Sequence, residues 1–570
     1  LEHDVATRGI VEEVRVAQGG CGDLIPLRRR AEPRQQPRGL TVVRGEDGGL
    51  GVDGVRQLRN EVEGPGVDDE RHAGLATELR KFERILAALL VQTWPDEGCL
   101  NAPAPNKFTA LFIGTWGMGL ADLYNRTAEL IGNTTNFGIA FSAVRHLAEL
   151  QERGEQKALT LYVKLIRTWT LLTALLGAVT CLILSPWLSH LTLGDYHTAK
   201  GYALLSPMVA MTTLLGGEAA ILKGMHRLRR MAAVSALGAL LTMAVTIPLY
   251  WWLGVHGVIP VLLSTTTVVF LLNLHAATRD FPYRVGLFSK RLLSRGMHML
   301  KLGSAYIAAG ILGSGAEMGV RSFMVRTSSL AEAGLYTAGF TLIVSYARLV
   351  FVAMDADYFP RLSAAGDDVE RRNFAINRQI DVLVLLMAPF LILFTLCLPL
   401  IIRLLYTPEF LHAVPMALCA AGCMFFKSVY APISYLSLAR GDSFVYLVME
   451  LLYDVVFVAA VIAGFYYGGL WGAGLGLSLA NLFDLIAIFT VYSWRYGFKM
   501  ERTTLRRCVL QFGLLLVGLF AAAQPVWGTK VALGGVVFTI SAGLSWDLLR
   551  RETSIAARWA ALRQRFLHKK

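Results

Sequence analysis

From Phe108 onward, about thirteen apolar runs follow one another, each long enough to cross a bilayer as a helix. Inside a bilayer no water satisfies the backbone, so a chain can span only as helices or as a closed barrel. The residue-by-residue alternation of a barrel is absent. The expected fold class is therefore all-α and polytopic. Of 570 residues, 54% are hydrophobic and only 17% are charged, with mean hydropathy +0.48, which is less charge than a soluble chain of this size carries.

The formal charge of +13 reads better as topology than as nucleic-acid binding, because the basic residues gather in alternate loops. Arg145–Lys157, His226–Arg230, Arg279–Lys301, Arg361–Arg378, Arg440, Arg495–Arg507 and the tail from Arg550 to Lys570 are charged or basic. The loops near Asp195, His256, Ser328, Thr407, Gly468 and Trp527 are nearly free of Arg and Lys. The positive-inside rule then puts every second loop, and the C-terminus, in the cytoplasm. The span from Phe108 (expected as one long or broken helix to Leu147) must enter from outside, so a first helix is expected before it and is not found. Residues 1–105 differ in composition, rich in Arg, Gly, Glu and Val with Lys81 the only lysine. They read as a disordered tail, an artefact of a misplaced start or frameshift, or a folded cytoplasmic domain. No cleavable signal peptide is recognised.

An internal repeat organises the rest. Tyr250-Trp251-Trp252-Leu253-Gly254-Val255-His256-Gly257 matches Phe465-Tyr466-Tyr467-Gly468-Gly469-Leu470-Trp471-Gly472, and Ala143–Leu147 falls opposite Phe359–Ser363 at nearly the same offset. The implied plan is two pseudo-repeated six-helix bundles, the first lacking its first helix, plus two C-terminal helices. The expected boundaries are 1–105, 106–280, 281–500 and 501–570. Secondary transporters are often built from such repeats, with the site between them.

Polar residues within the apolar runs fall on helical faces. Asp122, Arg126, Glu129, Asn133 and Asn136 recur at spacings of three and four, which puts them on one side of a helix. Ser314, Glu317 and Arg321 share a face further on, as do Thr341, Ser345 and Arg348. A charge at mid-bilayer costs roughly 2.5–3.5 kcal/mol, so such stripes face protein or a wet cavity. The intramembrane acids are Glu129, Glu218, Glu317, Glu450, Asp454 and Asp484. Glu450 and Asp454, four apart, could share a proton or bind Na⁺. The plain alternative is that Asp122–Arg126 and Glu317–Arg321 are neutral pairs that only hold helices together. Seven cysteines are scattered, and Cys419 and Cys423 lack a third ligand, so no metal or cofactor is expected. No P-loop motif occurs.

The runs Gly114-Thr115-Trp116-Gly117-Met118-Gly119-Leu120 and Asn133-Thr134-Thr135-Asn136-Phe137-Gly138-Ile139-Ala140-Phe141-Ser142-Ala143-Val144-Arg145 resemble the bacterial oligosaccharide flippases, also called O-antigen translocases or polysaccharide biosynthesis membrane proteins. These share a superfamily with multidrug extruders and the lipid II flippase. The resemblance spans about Lys107 to Lys499. It implies a non-enzymatic transporter of the bacterial inner membrane, moving an undecaprenyl-diphosphate-linked oligosaccharide between leaflets by alternating access. Membrane lipids, and polysaccharide polymerase and chain-length proteins, are the partners it implies; nucleic acid is not one. The diphosphate calls for cations, and the candidate substrate-binding residues are Arg126, Arg321, Arg348 and Lys427, with Asp122, Glu129 and Asn133 beside them. Arg321, Arg348 and Lys427 are expected to share one anionic-lipid site. Glu218, Glu317, Glu450 and Asp454 are the candidates for ion coupling. Three rival readings are a drug/cation antiporter of the same fold, a membrane glycosyltransferase or polymerase, and a non-transporting remnant.

Overall fold

The apolar runs become helices because each satisfies its own backbone hydrogen bonds, and breaks fall where glycine permits a left-handed turn. The computed structural model describes residues 103–286, 304–345, 347, 350–351, 358, 362–363, 366 and 368–552. The expectations for residues 1–102, for a helix preceding Phe108, for most of the Arg284–Arg295 loop, for Arg348 and for the tail after 552 lie outside the described residues. Among the described residues there is no strand.

The first group of helices is α1 (Pro103–Asn136), α2 (Ile139–Glu152), α3 (Gln156–Leu193), α4 (Ala199–Leu204), α5 (Ser206–Gly224), α6 (Leu228–Leu253) and α7 (Val258–Thr278). The second is α8 (Ser304–Thr327), α9 (Leu330–Phe340, running on as a wider π turn over Thr341–Ser345), α10 (Val369–Leu405), α11 (Val414–Ala439), α12 (Ser443–Tyr496), α13 (Arg502–Ala523) and α14 (Trp527–Glu552). The Phe108–Leu147 segment is broken twice. Gly114 interrupts α1 at φ 63°, and Phe137 and Gly138, both left-handed, separate α1 from α2.

Eight described stretches are long and apolar enough to cross a membrane. Two of these, Arg229–Thr278 and Ser443–Tyr496, fold back as hairpins, so each holds two of the expected spans. Helices α1 and α8, which carry the charged stripes, fall outside that set, and Leu330–Ser345 is shorter. The hairpin breaks confirm the repeat at backbone level. Gly254 has φ 53° and ψ −130°, and its repeat partner Gly469 has φ 59° and ψ −142°. The α12 hairpin closes tightly: a Cβ on Gly464 would strike the Gly472 carbonyl oxygen, and one on Gly472 would strike that of Gly464.

Two buried clusters form the core of the first group, one around Ile139, Ile166 and Ile221, the other around Tyr124, Tyr202 and Val261. A larger cluster, from Val320 through Leu391 and Phe410 to Leu515, forms the core of the second. Helix α1 joins the groups. Its Ala110 and Met118 belong to the second group's cluster, while Ile113 and Tyr124 belong to the first group's.

Candidate functional site

The charged stripe of α1 meets the charged stripe of α8 where the two helical groups adjoin. Arg321 on α8 donates from Nε to Asp122 Oδ2 on α1, and Thr337 on α9 donates to the same oxygen at 2.7 Å. Arg126 lies one turn along α1. Its Nη1 reaches Glu129 Oε2 at 2.9 Å and Glu317 Oε2 on α8 at 3.0 Å, and its Nε is 3.6 Å from Asp122 Oδ1. Arg321 Nη1 is 3.4 Å from the same Glu317 oxygen. One turn further, Asn133 Nδ2 donates to Ser314 Oγ on α8 at 3.4 Å.

Exposure is graded along this seam. Arg321, Arg126 and Asp122 are 1%, 11% and 13% exposed, whereas Glu129 and Glu317 are 35% and 29% exposed. The seam is dry at the Asp122 end and opens toward the Glu129 end. At the dry end the guanidinium of Arg321 lies over the rings of Tyr336 (5.6 Å) and Phe340 (5.4 Å) on α9, a favourable cation–π setting for a buried charge. Beyond that end, Lys107 Nζ on α1 donates to the Arg403 and Tyr406 carbonyls at 2.7 and 2.6 Å, capping the last turn of α10.

A second polar group continues the seam into α11 and α12. Asp454 on α12 feels the charges of Glu317 and Glu450, and it lies against Gly313 of α8. Glu450 and Asp484 both feel Lys427 of α11, whose ammonium is 5.9 Å from the Phe351 ring centroid. Tyr430 hydrogen-bonds Asn481 at 3.0 Å beside them. One Asp454 oxygen, Oδ2, is buried without a hydrogen-bond partner.

The seam therefore brings Asp122, Arg126, Glu129, Asn133, Glu317 and Arg321 into one cluster, and Lys427, Glu450 and Asp454 into an adjoining one. Of the expected shared site of Arg321, Arg348 and Lys427, two residues are described. Arg321 is sealed against Asp122, Lys427 sits among the acids of α12, and Arg348 lies outside the described residues. Glu218 lies elsewhere. Both its oxygens accept from Arg167 of α3, at 2.8 and 2.9 Å, so in this arrangement it is occupied as a counter-ion and not open to a coupling ion. The same guanidinium donates to the Phe281 and Pro282 carbonyls at 3.1 and 2.9 Å and packs over Tyr283, fixing the chain that leaves α7.

Residues 136–415 match the family model described as "Polysaccharide biosynthesis protein". The match begins within the Asn133–Arg145 run. No curated protein matches the chain. Among solved structures, it is similar to an inward-facing multidrug resistance MATE family transporter of the MOP superfamily, with 16% identity over 72% of this chain and 98% of that one, TM-score 0.56. It is also similar to the lipid II flippase MurJ in an inward closed conformation, with 12% identity over 84% of this chain and 100% of that one, TM-score 0.52. At such identities the likeness is one of fold. The chain is a multi-pass helical membrane protein with the fold of these transporters. The family match covers residues 136–415, just under half of the chain, and overlaps the Asn133–Arg145 run that carries the sequence resemblance.

Proposed function

We propose that the protein is a flippase that carries an undecaprenyl-diphosphate-linked oligosaccharide across the bacterial inner membrane by alternating access. The observation that carries this reading is the Arg126 cluster. It is a charged group midway along two helices, between the two helical groups, dry at one end and opening at the other. A guanidinium there offers a planar fork to phosphate oxygens. The glycan would occupy the wet side and the lipid tail would stay in the bilayer. The basic-loop pattern makes the Lys107 end extracytoplasmic and the C-terminus cytoplasmic, so the seam opens inward. Residues 106–280 and 281–500 act as the two moving bundles, 501–570 as a C-terminal pair and tail, and 1–105 as a segment outside the transport unit. Polymerase and chain-length proteins are the natural recipients of the product.

Ion coupling falls to Glu317, Glu450 and Asp454. The unpartnered Asp454 oxygen beside two further carboxylates suits a proton or Na⁺. A second reading, drug/cation antiport, is favoured by one specific feature. Among the described residues, the α1–α8 cluster holds three carboxylates (Asp122, Glu129 and Glu317) against two guanidiniums.

Reconstitution in proteoliposomes separates these. A polyprenyl-diphosphate-linked oligosaccharide should become accessible to a membrane-impermeant lectin on the opposite leaflet at a rate that rises with protein density. A rate equal to that of empty liposomes, together with ion-driven efflux of an organic cation, favours the antiporter.

A further inference from the structure

Among the described residues, carboxylates outnumber guanidiniums around Arg126, an arrangement an anionic substrate has to compete with. Arg321 cannot turn to meet one, because it is held by Asp122 and covered by Tyr336 and Phe340. Arg126 is the guanidinium nearer the open end; its Nη1 donates to Glu129 Oε2 at 2.9 Å and is ion-paired with Glu317 Oε2 at 3.0 Å. Those oxygens come from different helices, Glu129 from α1 and Glu317 from α8. Both side chains are about a third exposed and long enough to swing into the open end, whereas Asp122 is short and fixed by Arg321 and Thr337.

We propose that Glu129 and Glu317 are surrogate ligands that hold the diphosphate position on Arg126 while the substrate is absent, and that substrate entry exchanges them for phosphate oxygens. The inference rests on the diphosphate reading above. Its consequence is mechanical as well as chemical. Arg126–Glu317 ties α1 of the first group to α8 of the second, so the exchange releases one of the contacts between the groups. The Asp122–Arg321–Thr337 contact stays in place beside it and acts as the pivot. Substrate binding and release of the two groups thus become one event, and an empty protein remains tied. A ligand can shift such an equilibrium only through its preference for one state, and here that preference comes from competition with an internal carboxylate.

The test uses the full chain in nanodiscs with farnesyl diphosphate as the probe. Glu129→Gln and Glu317→Gln keep size and polarity but remove the competing charge, and each should tighten binding about tenfold, the equivalent of ~1.4 kcal/mol. Arg126→Gln should weaken binding by a similar factor or more. In a double-mutant cycle, the gain from either Glu→Gln change should vanish in the Arg126→Gln background, which a general loss of negative charge would not produce. Melting temperature checks folding, and either glutamine variant alone suffices for the cycle. If the glutamine variants bind no tighter while Arg126→Gln binds weakly, the surrogate role is wrong and the cation site stands. A gain that persists without Arg126 also overturns the surrogate role. If Arg126→Gln binds as the wild type does, the diphosphate reading itself fails.

Discussion

Gly119 of α1 and Gly334 of α9 form a reciprocal contact between the two helical groups. A Cβ on Gly119 would strike the Leu330 carbonyl oxygen, and one on Gly334 would strike the Thr115 carbonyl oxygen. Gly119 with Gly334, and Thr115 with Leu330, are separated by the same offset that relates Tyr250 to Phe465. The contact is therefore made by equivalent residues of the two repeats, one turn from the Asp122–Thr337 hydrogen bond, whose residues are again equivalent. Alanine at either glycine must push the helices apart, at a cost of about 1–3 kcal/mol. Gly310→Ala, in open space on α8, should cost nothing and can stabilise. Thermal unfolding in detergent checks this, and an unchanged melting point for both Gly119→Ala and Gly334→Ala would show that the contact is looser than described.

The Arg167–Glu218 pair predicts a stability effect where the sequence suggested ion coupling. Both residues are buried, so removing one partner leaves a charge without its counter-ion. Glu218→Gln or Arg167→Gln should cost ~3–5 kcal/mol, while an apolar double replacement, Arg167→Met with Glu218→Leu, should recover part of the loss. Should Glu218→Gln unfold at the wild-type temperature yet lose ion dependence of transport, the coupling role would be restored to it.

Lys107 lies beyond the dry end of the seam and links α1 to the last turn of α10. Replacing it with Met removes two charge-assisted hydrogen bonds to carbonyls, worth roughly 1.5–3 kcal/mol each at most. The ends of the two groups should then separate more often. A cysteine in place of the buried Thr109, two residues along α1, should react faster with a water-soluble maleimide in the Lys107→Met background. Equal labelling rates would show that Lys107 does not hold this end shut.

Asp442 gives a pH prediction outside the membrane. Hydrogen bonds from Arg495, with help from Tyr496 and the Val445 amide it caps, hold its carboxyl below the ordinary aspartate value of 3.8. A lowered folded-state value means that its stabilising effect is present above the ordinary value and is lost as pH falls through the folded one. Asp442→Asn should melt lower than wild type near neutral pH, with the gap closing as pH drops below 4 (about the ordinary carboxylate range). A gap that stays constant to about pH 3 would show that it does not come from the carboxylate charge, and no gap near neutral pH would assign the role of Asp442 to capping alone, since an amide caps nearly as well.

The helices and the α1 stripe were legible in the sequence for a definite reason. In an apolar chain every polar residue stands out, and Asp122, Arg126, Glu129 and Asn133 keep helical spacing. Their meeting with Glu317 and Ser314 of α8 could be anticipated only as a shared cavity, because partners so far apart in sequence leave no local pattern. Arg167 has no acid three or four residues away, so nothing local marks it as half of a pair. The clue was Glu218 itself, since a buried acid needs a cation from some neighbouring helix. The aromatic cover on Arg321 was hidden for another reason: Tyr336 and Phe340 look like ordinary apolar residues of α9. Lys107 has no local signal for its role, because its two acceptors are backbone carbonyls, which sequence does not mark.

The central claim is that Arg126 grips the diphosphate of a lipid-linked oligosaccharide during translocation. Flipping of a polyprenyl-diphosphate-linked oligosaccharide in proteoliposomes, measured at matched protein density, tests it most directly. Arg126→Gln should slow flipping at least about tenfold, the equivalent of ~1.4 kcal/mol, and Arg126→Lys should restore only part of it, because a point charge replaces a planar fork. Flipping at the wild-type rate by a folded Arg126→Gln protein would contradict the account.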